Sequence, residues 1–289
     1  MTHSIDLPDR HQFAALADGK VHYRIDGPDS GHKLLLIHGA TISSWEFDRL
    51  APYLIQAGYR IIRADLFGHG YSDRPRKRYD LELFRGQIIQ LLDYLGIDEP
   101  IDVMGHSLGA AVAASLTNHF PDRVKRLVLA APLINYSANL PMIKLFKVPL
   151  LGELLTYFVA IPKLKKRRIR RYKPIDDGRF IAKFQSQFLL PGFPRAMLSM
   201  FRSGVLGNQR SVYRQLHKLE KEVLILHGEL DEIVSAQQIA SLEKILSSAQ
   251  LVIVENTGHA FILTEPAGIA PLLKNFLRPA NGYLDNTRF

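Results

Sequence analysis

The 289-residue chain contains no cysteine. It can therefore form no disulfide framework and no thiolate metal site. A thiol-free chain suits a reducing compartment, and a cytoplasmic location is the expectation. The chain also lacks HExxH, GxGxxG and P-loop patterns, so no metal and no nucleotide cofactor is expected. Long hydrophobic runs are missing as well. The longest nearly apolar run, Val148 to Pro162, carries Glu153 and is shorter than the roughly 20 residues of a spanning helix. The opening MTHSIDLPDRHQF holds Asp6 and Asp9 and no apolar stretch, so it does not read as a secretory signal. Acidic charge is the remaining shortage: 28 Asp and Glu face 37 Lys and Arg, for a net charge of +9. Apolar content is ordinary at 47%, which excludes a disordered chain and allows a sizeable core.

Six short apolar runs read as strands: Lys33–His38, Tyr59–Ala64, Ile101–Met104, Val124–Ala130, Val223–His227 and Leu251–Val254. Most are continuously apolar, as buried parallel strands require. Helical spacing appears over Leu81–Leu95, Ala110–Phe120, Ala236–Leu246 and Pro266–Leu277. This alternation predicts an α/β fold, a mostly parallel sheet with helices on both faces. It lapses between Asn135 and Arg214, a stretch with six prolines that reads as a helical insertion. Residues 1–134 and 215–289 are then the core, and residues 135–214 a cap, or lid. The tail from Pro279 is polar and reads as loosely held.

Gly105-His106-Ser107-Leu108-Gly109 follows the strand Ile101–Met104 and opens the next predicted helix. A serine hydroxyl must stand clear of the sheet to meet its base, and a tight strand-to-helix turn puts it there. Gly105 and Gly109 let strand and helix approach. The helix N-terminus offers backbone N–H groups to an oxyanion. G-x-S-x-G alone arises by chance in roughly one chain in ten of this length, so its context carries the argument. Three further segments converge on it. His38-Gly39-Ala40 ends one strand and can aim the Ala40 N–H at a substrate oxygen, with the Leu108 N–H as second donor. Asp231 follows the strand Val223–His227, and His259 follows Leu251–Val254. The chain order Ser, Asp, His is that of the α/β-hydrolases.

On these residues the chain resembles the α/β-hydrolase superfamily, in its lidded serine esterase and lipase-like branch. The resemblance runs from about Gly19 to Leu277. It is carried by HGA at 38–40, DLFGHGYSD at 65–73, GHSLGA at 105–110, HGELDEIV at 227–234 and TGH at 257–259. It implies Ser107 as nucleophile, His259 as general base and acid, and Asp231 as the carboxylate orienting His259. A serine at the nucleophile position argues against the aspartate-based dehalogenase and epoxide hydrolase chemistries of the superfamily.

The other candidates have plainer expectations. His106 should point away from the Ser107 side chain. His38 and His69 should hold turns together, and His227 should be a packed, satisfied histidine. Asp65 and Asp73 should brace their loop. Glu232 is the reserve for Asp231, and Asn135 cannot carry a charge.

The insertion is chemically distinct. Residues 135–214 hold sixteen Lys and Arg against three acids, net +13. The rest of the chain has 21 basic and 25 acidic residues, net −4. The insertion also holds eleven of the 27 aromatics. Two readings follow: a lid whose basic face is merely solvated, or a lid in peripheral contact with an anionic membrane. No nucleic-acid motif accompanies the charge, so no nucleic-acid partner is expected. An apolar, aromatic lid over a serine triad suits a small hydrophobic ester, with an acylglycerol as one candidate. The alternatives are a hydrolase of carbon–carbon bonds in vinylogous diketones and, from another class, a ligand receptor of weak activity on the same fold.

Overall fold

The computed structural model describes residues 11–136, 143–173 and 178–277. The N-terminal stretch through Arg10, the residues from Arg278 onward, the tail from Pro279 among them, and two pieces of the insertion, 137–142 and 174–177, lie outside the described residues.

The strands are β1 (Gln12–Leu16), β2 (Gly19–Asp26), β3 (His32–Ile37), β4 (Tyr59–Ala64), β5 (Ile101–His106), β6 (Val124–Ala130), β7 (Glu222–Gly228) and β8 (Gln250–Val254). They form one sheet in the order β1-β2-β4-β3-β5-β6-β7-β8. Strands β3 to β8 run parallel, while β1 and β2 enter antiparallel at one edge. The hairpin β1–β2 escapes the search for apolar runs because its residues alternate polar and apolar. Asp18-Gly19 at its turn is the signal that marks it. β8 departs from the expectation of a fully buried strand. It is the opposite edge, and Ile253 is half-exposed.

Strand alternation builds two cores. Leu35 and Ile37 of β3 face the layer of α2 (Leu81–Tyr94), α3 (Leu108–His119), α8 (Arg210–His217) and α9 (Ala236–Ile245). Leu34 and Leu36 face α1 (Ala51–Gln56), α10 (Phe261–Thr264) and α11 (Pro266–Phe276). Helix α3 is alanine-rich and buried along nearly its whole length, which lets it wedge between α2, α8 and the sheet. No helix among the described residues is long and apolar enough to cross a membrane.

Between β6 and β7 the described chain is helical. It contains a 3-10 turn (Ile143–Lys147), α4 (Leu151–Leu155), a π turn (Thr156–Ala160), α5 (Ile161–Tyr172), α6 (Phe180–Ser186) and α7 (Phe193–Ser203) before α8. The π turn precedes Pro162. Proline lacks an N–H and crowds the carbonyl four residues back, so the wider turn accommodates it without ending the helix. The compositional boundary at 214 falls inside α8. Tyr213 and Leu216 of this helix are buried in the same core as α3, so α8 packs with the sheet layer. β6 and β7 are themselves adjacent and paired in parallel, Arg126 beside Glu222.

Candidate active site

The strand order creates the crevice. From β3 the chain moves to β4 on one side, then crosses back to β5 on the other. Loops leaving β3 and β5 therefore diverge, and ligands bind at such a switch point beyond the carboxyl ends of the strands. Ala40 follows β3 and Ser107 follows β5.

β5 ends at His106 and α3 begins at Leu108, so Ser107 turns the chain alone. Its backbone lies at φ 53°, ψ −114°, a region that costs a side-chain-bearing residue about 1–3 kcal/mol. The surroundings hold it there. The Ser107 N–H donates to the Ala130 carbonyl at 2.9 Å, and its own carbonyl accepts from Leu133 and Ala110, both at 3.1 Å. The flanking glycines leave no room for anything larger. A Cβ on Gly105 would lie 2.2 Å from the Gly109 carbonyl oxygen, and one on Gly109 would lie 2.0 Å from that of Ile37.

Ser107 Oγ lies 3.0 Å from His259 Nε2, and His259 Nδ1 lies 2.8 Å from Asp231 Oδ2. The other Asp231 oxygen accepts the Ile233 N–H at 2.7 Å and the Val234 N–H at 3.0 Å. Burial would raise the Asp231 carboxyl, but His259 and the two amides outweigh it and hold the group below its ordinary value. An ionised Asp231 accepts Nδ1–H, which leaves Nε2 free to accept the serine proton. Burial lowers His259 from 6.5 to about 4. The partnership with Asp231 opposes that shift, and the nearby charges of His106 and Arg168 reinforce it. At neutral pH His259 is an uncharged base. Glu232 plays no part here, since it lies 3.5 Å from Arg167 on the surface.

The two candidate oxyanion donors flank the serine. Leu108 is the first residue of α3, where helix N–H groups lack intrahelical partners. The Ala40 loop is fastened from several sides. The Gly39 N–H donates to Glu46 Oε2 at 3.0 Å, and the Ala40 carbonyl lies 2.8 Å from His69 Nε2. His38 Nε2 accepts the Leu66 N–H at 2.9 Å, so its Nδ1–H donates to the Gly39 carbonyl at 2.8 Å. Burial lowers both histidines, His69 to about 4, so both serve as neutral braces.

Sequence reasoning missed Glu46. It is buried, with Oε1 2.8 Å from His106 Nδ1. His106 Nε2 in turn lies 2.9 Å from the His259 carbonyl oxygen. Burial works against charge on both groups, yet their attraction prevails. His106 is raised above its ordinary value, and Glu46 is lowered. This pair joins the loop after β3, the residue before the serine and the loop bearing His259. Nothing in the local sequence marks Glu46, because its burial comes from packing across the fold.

The remaining expectations divide. Asp65 braces its loop by accepting Ser44 and Tyr71 N–H groups at 2.8 and 2.9 Å and by pairing with His22 Nδ1 at 2.7 Å. These contacts overcome burial and hold it well below the usual carboxylate range. Asp73 accepts the Lys20 N–H at 2.7 Å. Asn135 forms an isolated bridge with Asn208. His227 is buried as expected but not satisfied. Its Nδ1 lies 3.9 Å from Asp231 Oδ2, too far for a hydrogen bond, and has no other partner among the described residues.

The inserted helices lie over these loops. Tyr172 of α5 and Phe180 of α6 pack with Ile42, Trp45, Ala260 and Leu263. Trp45 and Phe180 meet edge-on at 4.8 Å, as do Tyr172 and Phe180 at 4.7 Å. The Gln187 amide donates to the Thr41 carbonyl at 3.1 Å. An aromatic wall thus stands against the loops that follow Ala40 and His259.

The Hydrolase_4 family model, described as serine aminopeptidase S33, matches residues 29–267. The chain belongs to this family of α/β-hydrolases. It is 26% identical over 258 residues to a 2-hydroxymuconate semialdehyde hydrolase of Pseudomonas sp. (strain CF600), covering 87% of this chain and 89% of that one. It is 28% identical over 263 residues to a pimeloyl-[acyl-carrier protein] methyl ester esterase of Neisseria meningitidis, covering 89% and 80%. Among solved structures, Cfl2 from Burkholderia cenocepacia superposes with a TM-score of 0.78 at 23% identity, over 93% of this chain and 95% of that one. That likeness shows the shared fold.

Proposed function

We propose that this α/β-hydrolase cleaves carboxylic esters with a hydrophobic acyl or alcohol part, lipid esters of the acylglycerol type among them. The observation that carries the reading is the hydrogen-bonded chain Ser107–His259–Asp231 beside the apolar wall of Ile42, Trp45, Tyr172 and Phe180. Similarity to a methyl ester esterase supports it. In this reading the described helices from Ile143 to Ser203 are the cap. His259 Nε2 takes the Ser107 proton as Oγ attacks the acyl carbon. The oxyanion that forms accepts from the Ala40 and Leu108 N–H groups. The imidazolium, stabilised by Asp231, returns the proton to the departing alcohol oxygen and leaves an acyl-serine. A water molecule, deprotonated by the same Nε2, then releases the acid and restores Ser107. Ser107→Ala should lower p-nitrophenyl ester turnover by about four to six orders of magnitude, and a fluorophosphonate should label Ser107. Retained turnover, or labelling elsewhere, would overturn the assignment.

A second reading is carbon–carbon bond hydrolysis of a vinylogous diketone by the same three residues. One observation favours it: the Arg168 guanidinium adds a positive charge felt at His259, which an acidic substrate could meet. Similarity to a hydrolase named for an acidic semialdehyde points the same way. A chain-length series of neutral esters run beside an acidic ring-fission diketone separates the two. If the diketone is the substrate, Arg168→Gln should raise its KM about tenfold or more. It should leave the KM of a neutral ester within about twofold.

A further inference from the structure

The apolar part of the inserted helices is not all turned toward the sheet. Leu150, Tyr157 and Phe158 are 79%, 62% and 69% exposed, and Val148, Leu151 and Leu154 are exposed with them. Single exposed apolar residues are ordinary. A run of them over two helical turns is not. The same helical run continues through the π turn into α5, which reads IPKLKKRRIRRY. Lys163, Lys166, Arg167 and Arg170 are exposed, and their i, i+3, i+4, i+7 spacing places them on one face. Of these four, Arg167 has an acid nearby, Glu232 at 3.5 Å. On the other side of the apolar residues, Lys144 and Lys147 are exposed too. The acid within the patch, Glu153, is answered by a two-pronged contact from Arg202 at 2.8 and 2.9 Å.

We infer that this surface, Lys144 to Arg170, docks on an anionic phospholipid bilayer. The observations narrow the occupant. Exposed Leu, Tyr and Phe call for an apolar phase, and the flanking lysines and arginines call for anionic headgroups. Nucleic acid would satisfy the charge and leave the apolar residues in water. A second copy of the chain would bring one insertion of net +13 against another, and the like charges would oppose the contact. From Leu151 to Tyr172 the helical run is about 33 Å long, enough to lie along a membrane surface. The inference goes beyond the hydrolase reading and does not rest on it, since its test is a binding measurement.

The full chain is sedimented with vesicles of phosphatidylcholine alone and of phosphatidylcholine mixed with phosphatidylglycerol. Two variants are run beside it. One is Lys163→Glu/Lys166→Glu/Arg170→Glu, which spares Arg167 and its contact with Glu232. The other is Leu154→Ser/Tyr157→Ser/Phe158→Ser. The parent should pellet with the anionic vesicles and stay in solution with the neutral ones. Each basic residue near an anionic surface is worth about fivefold in partitioning, so the charge variant should lose about a hundredfold or more. The apolar variant should also lose binding. Circular dichroism and, if the parent hydrolyses it, turnover of a short soluble ester should match the parent in both variants. The inference is overturned if the parent stays in solution with anionic vesicles, or if the charge variant pellets equally well. It is also overturned if the parent elutes as a dimer that the apolar variant abolishes, since a second copy would then cover this face.

Discussion

At the carboxyl ends of β3 and β5 the chain is packed to backbone contact, and a single methyl at Gly109 would meet the Ile37 carbonyl. On the helices inserted between β6 and β7, several of the largest apolar side chains face outward instead. The first region holds its geometry through backbone and buried hydrogen bonds that tolerate no added volume. The second is anchored on its inner side, where Ile161, Phe193, Met197 and Met200 join the main core and Tyr172 and Phe180 form the aromatic cluster, and is open on its outer side. The difference teaches where each property of the protein resides. Close packing in the first holds Ser107, His259 and Asp231 at separations of 3.0 and 2.8 Å. The outer face of the second can change without disturbing them.

Gly109→Ala should break the first region outright. The added carbon collides with backbone rather than with the tip of a mobile side chain, so we expect destabilisation of more than about 3 kcal/mol. Thermal unfolding and soluble yield report it, and a parent-like melting temperature would contradict the packing described. A smaller effect is expected from Glu46→Gln. The pair with His106 aligns the Ala40 loop and the His259 loop without touching substrate, so kcat should fall about 10- to 100-fold with KM little changed. Glu46→Asp should recover part of the loss if the charge matters. A similar loss in both variants would point to packing alone.

The pH dependence is subtler. In the proposed mechanism His259 must be neutral to accept the serine proton, and burial lowers it to about 4. The acid limb of kcat/KM should therefore lie near about 4, well below an ordinary imidazole's 6.5, and activity should fall as pH falls through it. The same shift bears on folding. An unfolded chain protonates this histidine at its ordinary value, so its contribution to stability declines as pH drops from 6.5 toward about 4. His69 acts in the same direction, whereas His106, raised by Glu46, adds stability as pH falls toward 6.5 and contributes a constant amount below it. Rates measured across this range at a temperature where the fold persists separate the two effects. The smallest change in turnover of a soluble ester is expected from substitutions on the outer face of α5.

Much of this geometry is legible in the sequence because it is local. Continuous apolar runs mark β3 to β7 through burial on both faces. Gly105, Ser107 and Gly109 mark the turn because its backbone admits little else. Asp231 and His259 are found because each sits one short loop beyond an apolar strand, β7 and β8 in turn. What escapes is non-local. Glu46 becomes a buried partner of His106 only once β3 and β5 lie side by side. The antiparallel hairpin of β1 and β2 is polar on one side and shows no apolar run. Composition draws the insertion's end at 214, while packing against α3 and α9 claims α8 from Arg210 onward.

The direct pairing of β6 with β7 has one more consequence. The inserted helices leave and re-enter the sheet at two neighbouring strands, whose register is set by their own hydrogen bonds and not by what lies between them. A change on the exposed face of the inserted helices therefore leaves the pairing of β6 with β7 in place. Exposed side chains such as Leu150, Tyr157 and Phe158 can vary while Ser107, Asp231 and His259 keep their spacing.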